Sequence, residues 1–151
     1  MSALLGWHPG ERSIQHKVGV DGPMSQAYTW IQASMPHEHQ VFHSTKLPFV
    51  PITTLDKDGR PWGSIFAGSD GQTGFIKSPF HNKLTMTIKS WEGDPFIENS
   101  KLFEPSSLLI AGLGIEFSTR RRNKFAGRVE KLETMTENNF YLEVEVNEAI
   151  G

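Results

Sequence analysis

The sequence predicts a mainly β protein, a closed antiparallel barrel preceded by helices. Three observations carry this. From Phe49 to Val146 the chain breaks into about seven short runs rich in β-branched and aromatic residues, several with apolar–polar alternation. Most of those runs are joined by short polar turns, which favour antiparallel neighbours over strand–helix–strand crossovers. Before Pro48 the apolar residues fall instead at helical spacing.

The helical part comes first. Pro9, ahead of Gly10-Glu11-Arg12, is a favourable first helical position, and the helix it opens runs to about Val18 and stops at Gly19. Ser25 is placed to cap a second helix with Tyr28 and Ile31 on one face. Pro36 interrupts it, a third short helix carries Val41 and Phe42, and Pro48 ends the region. Phe49–Leu55 is then a strand, Asp56-Lys57-Asp58-Gly59 supplies hairpin chemistry, and Trp62–Ala67 returns. After a turn at Ser69-Asp70-Gly71 come strands at Phe75–Lys77 and Leu84–Ile88. Asp94-Pro95 opens a short helix to about Leu102, followed by strands over Leu108–Phe117, Lys124–Leu132 and Phe140–Val146. The expected organisation is one domain over residues 1–151, with a helical preface at 1–47 and the barrel at 48–147. The abrupt stop after the last strand suggests a piece of a longer protein.

Composition narrows the function. The chain has 151 residues, a formal net charge of −2 and no cysteine. A chain this long buries roughly 68–70% of its unfolded surface and needs no staples. The charge disfavours generic nucleic-acid binding, which requires many cations against phosphates. Without cysteine there is no disulfide, thiolate nucleophile or cysteine-held cluster. No apolar run approaches the ~20 residues of a membrane span, and the N-terminus lacks an export pattern, so a cytoplasmic location is the expectation.

His37, His39 and His43 cluster, but the zinc-protease pattern fails because Val41 stands where its second histidine belongs. A solvated helix face is the expectation there. Arg120-Arg121-Arg122-Asn123-Lys124 reads as a polar turn or, functionally, as a site for a single phosphate, where a few cations suffice. Gly112-Leu113-Gly114 lacks the third glycine of a dinucleotide fingerprint and is followed by strand.

The hairpin Thr53-Thr54-Leu55-Asp56-Lys57-Asp58-Gly59-Arg60-Pro61-Trp62-Gly63-Ser64 resembles the first hairpin of the FMN-binding split-barrel family, which includes pyridoxamine 5′-phosphate oxidase. Gly74–Leu84, with Lys77-Ser78-Pro79-Phe80-His81-Asn82-Lys83, resembles the family's following segment, which holds the FMN phosphate. Ile115–Val129, with its arginine run and Asn123-x-x-x-Gly127, resembles the Arg-rich hairpin of a related branch, and the opening Gly6-Trp7-His8-Pro9-Gly10-Glu11 is similar to that branch as well. The match covers residues 49–132, and its strength lies in the order of the motifs. Three positions depart from the family: Ser64 stands where the oxidase has a phosphate-contacting arginine, Asn82 where arginine is common, and Lys77 where a hydroxyl residue is usual.

The resemblance implies a split β-barrel of the FMN-binding type, a homodimer with flavin at the subunit interface, and a small-molecule redox substrate. It implies cofactor contacts from the Ser64, Ile65 and Phe66 backbone and from Lys77, Ser78, Asn82, Lys83, Arg122 and Asn123. No side chain is assigned a catalytic role, because the flavin carries the redox chemistry. It further implies that such a domain occurs fused ahead of a reductase module. The alternative is a split barrel without turnover, binding flavin or haem or serving as a structural module. Neither reading involves nucleic acid, membrane or metal.

Overall fold

A computed structural model describes residues 6–151. Helix α1 (Pro9–Lys17) begins as the sequence predicts, with a capping box in which His8 Nδ1 accepts from the Gly10 amide at 3.1 Å. The Glu11 carboxylate returns to the His8 amide at 2.9 Å. The helix ends before Gly19, whose φ of 73° is the left-handed geometry that glycine tolerates. The single second helix expected from Ser25 is instead one turn of α2 (Asp21–Met24) and a 3-10 turn (Ala27–Trp30). Ser25 donates its hydroxyl back to the Gly22 carbonyl, so it closes one turn rather than opening the next. Helix α3 (His37–Thr45) follows Pro36.

Seven antiparallel strands follow: β1 (Phe49–Leu55), β2 (Pro61–Ala67), β3 (Ile76–Phe80), β4 (Lys83–Lys89), β5 (Leu109–Glu116), β6 (Arg121–Thr136) and β7 (Asn139–Ile150). Their order is β2-β1-β5-β6-β7-β4-β3. A further pairing of β2 with β4 closes six of them into a ring and leaves β3 as a flap on β4. This is a mainly β, six-stranded antiparallel barrel with N-terminal helices. Closure is partial, because β2 meets β4 only at Ala67 opposite Lys89.

Alternation decides what fills the ring. Val50, Ile52, Phe66, Leu84, Met86, Ile88, Leu142 and Val144 point inward and are buried. Helix α4 (Pro95–Ser100) packs beside β1 and β2, placing the Phe96 ring edge-on to Phe66 at 4.7 Å. The last two strands are longer than their apolar runs suggest. The β6–β7 ladder continues through polar residues to Thr136 opposite Asn139, so backbone pairing carries it past the core.

Where β6 shifts register between Ala126 and Gly127, the Glu145 carbonyl of β7 occupies the space a side chain would need. Gly127→Ala is therefore expected to lower unfolding free energy in urea by about 3 kcal/mol, the cost of forced overpacking. Gly63→Ala, whose added methyl meets nothing nearer than 3.9 Å, should stay within about 1 kcal/mol of the parent.

Candidate functional site

The outside of the barrel has two chemically different halves. Over β4, β7 and the far part of β6 it is an ionic network. Lys83 Nζ lies 2.8 Å from Glu130 and 3.1 Å from Glu143, which also accepts from the Tyr141 hydroxyl at 3.1 Å. Glu130 and Glu143 raise the Lys83 pKa above the ordinary lysine value. Over β2, β1, β5 and the near part of β6 the outward residues are largely apolar. They include Phe49, Pro51, Ile65, Leu109, Leu113 and Ile115, with Phe117 beside Phe49 at 6.2 Å between ring centroids.

A trough runs across this second half. Ala111, Gly112 and Ala126 are too small to fill the surface between strands, and Pro51, Leu113, Phe125 and Ile150 wall it. Its volume is about 410 Å³, and an adjoining hollow of about 320 Å³ continues it past Leu55 and Leu109. Lys124 lines the trough, and Arg122 stands two residues along β6 on the same outward face. Among the described residues Arg122, Lys124 and Lys77 form no ion pair. A larger hollow of about 910 Å³ lies within the helical preface, between Trp7, Arg12, His16, Asp21 and Tyr28. It is more polar and none of its walls belongs to the barrel, so the trough is the better ligand site.

The residues assigned to the cofactor from sequence fall into separate places. Ser64 and Phe66 face inward. The Ser64 hydroxyl donates to Asp94 at 2.7 Å and accepts from the Phe96 amide at 3.0 Å, fastening the start of α4 to β2. Only Ile65 of that trio presents its side chain outward, 53% exposed beside Pro51. What β2 offers a ligand is its backbone edge, paired with β4 at Ala67 alone.

Lys77, Ser78, Asn82 and Lys83 lie together at the β3–β4 hairpin. Ser78 is tied to the Phe80 and Lys83 carbonyls, and the Asn82 carbonyl accepts from the Val146 amide at 2.8 Å. Arg122 and Asn123 stand at the start of β6, Asn123 facing inward and buried. Following the register from Lys77 through Thr85 and Glu143 reaches Lys131, nine positions along β6 from Arg122. That is about 30 Å of strand. The two places also meet one helix, since Ser78 lies 3.5 Å from Gln40 of α3 and Arg121 lies 5.3 Å from the Phe42 ring of the same helix.

Some placements were missed by sequence reasoning. Lys124 was seen only as part of the basic run, although strand alternation with Arg122 and Ala126 would have put all three on one face. Asp94 and Asn99 were not singled out, yet Asp94 caps α4 and the Asn99 amide donates to Thr54 at 2.9 Å. The expected solvated face of α3 is a correction: His39 and His43 are both buried. They share the inward stripe of α3 with Phe42, one turn apart, so the apolar environment of Phe42 and Phe125 encloses them. Among the described residues no three His, Cys, Asp or Glu side chains stand close enough to share a metal, and no helix is long and apolar enough to cross a membrane.

This architecture is the split barrel of pyridoxamine 5′-phosphate oxidase-like proteins. A candidate pyridoxamine 5′-phosphate oxidase from Lactobacillus delbrueckii superposes with a TM-score of 0.57 at 14% identity, over 80% of this chain and 96% of the other. HupZ from Group A Streptococcus gives 0.52 at 9% identity over 76% and 91%. An F420 reductase gives 0.50 at 15% identity over 76% and 98%. No family model matches the sequence, and no curated protein matches it at significant similarity. At these identities the likeness is one of fold.

Because Asp94 both caps α4 and holds Ser64, Asp94→Ala should cost about 1–2 kcal/mol of stability by chemical denaturation. The far-UV spectrum should remain that of a β protein, since the barrel ladders do not pass through α4.

Proposed function

We propose that the chain is an FMN-binding module of an oxidoreductase, working as a homodimer in which a second copy covers the apolar half of the barrel. The observation that carries this reading is the apolar trough with Arg122 and Lys124 beside it, neither in an ion pair among the described residues. A flavin ring needs a flat apolar surface, and its phosphate needs one or two cations. An exposed apolar face of this kind is a common mark of an interface. Bound FMN would supply the electron transfer to or from a small-molecule substrate. The protein would hold the phosphate through Arg122 and Lys124, offer the β2 edge near Ile65 to polar ring atoms, and shield the ring from water. Lys83 is less suited, because two carboxylates already surround its charge.

Titration of the apo-protein with FMN, riboflavin and FAD tests the reading. FMN is expected to bind most tightly, and Arg122→Ala to weaken it on the order of 10- to 150-fold, the value of a charged hydrogen bond. Riboflavin affinity should not change with that substitution. Lys83→Ala should have a smaller effect, close to that of Lys131→Ala. If Lys83→Ala gives the larger loss, the phosphate sits at the β3–β4 hairpin instead. Equal affinity for riboflavin and FMN sinks the phosphate site altogether.

Sedimentation at micromolar concentration should give twice the chain mass, and a monomer that binds FMN would overturn the dimer. A second reading, a split barrel without turnover, is favoured by the pairing of Lys83 and by Ser64 being sealed beneath α4. A Soret band in the purified protein, or no visible absorption after FMN is supplied, would decide for it.

A further inference from the structure

Buried polar atoms without a hydrogen-bond partner gather at one seam. Five such side-chain atoms occur among the described residues, and four belong to His39, His43 and Asn123. Folded proteins satisfy nearly all such atoms, so a concentration of exceptions marks a place under stress. The seam lies where α3 covers the start of β6 and the end of β7. The His43 ring is edge-on to Phe42 at 5.5 Å and to Phe125 at 5.4 Å. His39 and Asn123 converge on Gly151, where an added methyl would press on His39 Nε2 and Asn123 Oδ1.

The charges around the seam do not favour a proton there. Arg121, on β6, lies 5.3 Å from the Phe42 ring and opposes a positive charge on His39. Glu38, on α3 itself, acts the other way but more weakly than burial and Arg121. Glu116, at the end of β5, is engaged by Lys46 at 3.6 Å. Among the described residues no carboxylate lies within ion-pair distance of either ring. Burial therefore disfavours a proton on either imidazole while α3 stays packed.

We propose that α3 is a proton-operated latch, which lifts from β3 and the start of β6 when His39 and His43 take up protons. The helix is suited to this. It is nine residues long, too short to hold itself together in water, and its capping residue Pro36 offers no side-chain hydrogen bond. Lifting it uncovers Asn123 and the start of β6 and separates Gln40 from Ser78, now 3.5 Å apart. Arg122 is the next residue to Asn123, so opening disorders the phosphate end of the flavin site. That last consequence rests on the flavin reading; the latch itself does not.

The sign follows from linkage. Burial holds His43 down to about 4, against an ordinary value of 6.5. The closed state thus binds fewer protons than the open one and is at full strength above pH 6.5. It weakens as pH falls from there to about 4. From His43 alone, going from pH 7.5 to pH 5 should raise the open population about 30-fold, and His39 adds in the same direction.

Hydrogen exchange on the unmodified chain without cofactor tests this, with protection factors corrected for the pH dependence of intrinsic exchange. Protection in α3 should fall about 30-fold or more between pH 7.5 and 5 while β4–β7 amides keep theirs. His43→Leu should remove most of the pH dependence. Where that variant folds poorly, NMR titration of the parent serves: the His43 ring should titrate well below 6.5. A His43 ring titrating near 6.5, or equal loss of protection in α3 and the barrel strands, overturns the latch. FMN affinity measured across the same range separates the two ideas. If no flavin binds at any pH, the flavin reading fails and the α3 protection factors still decide the latch.

Discussion

The barrel closes through one pair of residues. Ala67 opposite Lys89 is the one ladder pair between β2 and β4, whereas every other neighbouring pair in the ring shares a longer ladder. An open seam would expose Phe66 and the polar edge of β2 to water, a poor arrangement for a core residue and for unpaired backbone groups. Helix α4 resolves this. Its first turn is fixed by Asp94 and Ser64, Phe96 fills the space against Phe66, and Asn99 reaches Thr54 on β1. The Asp94-Pro95 step is thus a closure device, and Ser64 serves the fold rather than the surface.

The fold was largely legible, because it depends on local patterns. Alternation in β1 and β4, the Asp56–Gly59 turn and the proline stops each needed only a few neighbouring residues. The site was less legible because its decisive partners are remote in sequence. Nothing near Lys83 reveals that Glu130 and Glu143 bracket it, nor that Ser64 answers to Asp94 thirty residues on. His39 and His43 misled for another reason. Histidine reads as a surface residue, and only the packing of α3 across the barrel turns that stripe inward.

The two halves of the barrel show how one sheet serves two solvents. Along β6 the outward positions run from Arg122, Lys124 and Ala126 by the trough to Lys131 and Glu133 in the ionic network, with two of the register shifts lying between. A shift changes which residues face outward, so the long strand can present one face to an apolar neighbour and another to water. A uniform ladder would have extended one pattern from end to end.

The helical preface stands apart from this economy. Among the described residues neither α1 nor α2 has a buried residue, and the stretch that follows them is tied to the sheet by backbone bonds joining Gln32 to Ala149, both 2.8 Å. A region so loosely invested in the core is free to drift over generations. Changes confined to α1 and α2 leave the barrel ladders their partners, since neither helix contributes to the core. Lineages sharing this barrel can accordingly diverge most in their opening residues while the strands stay in step.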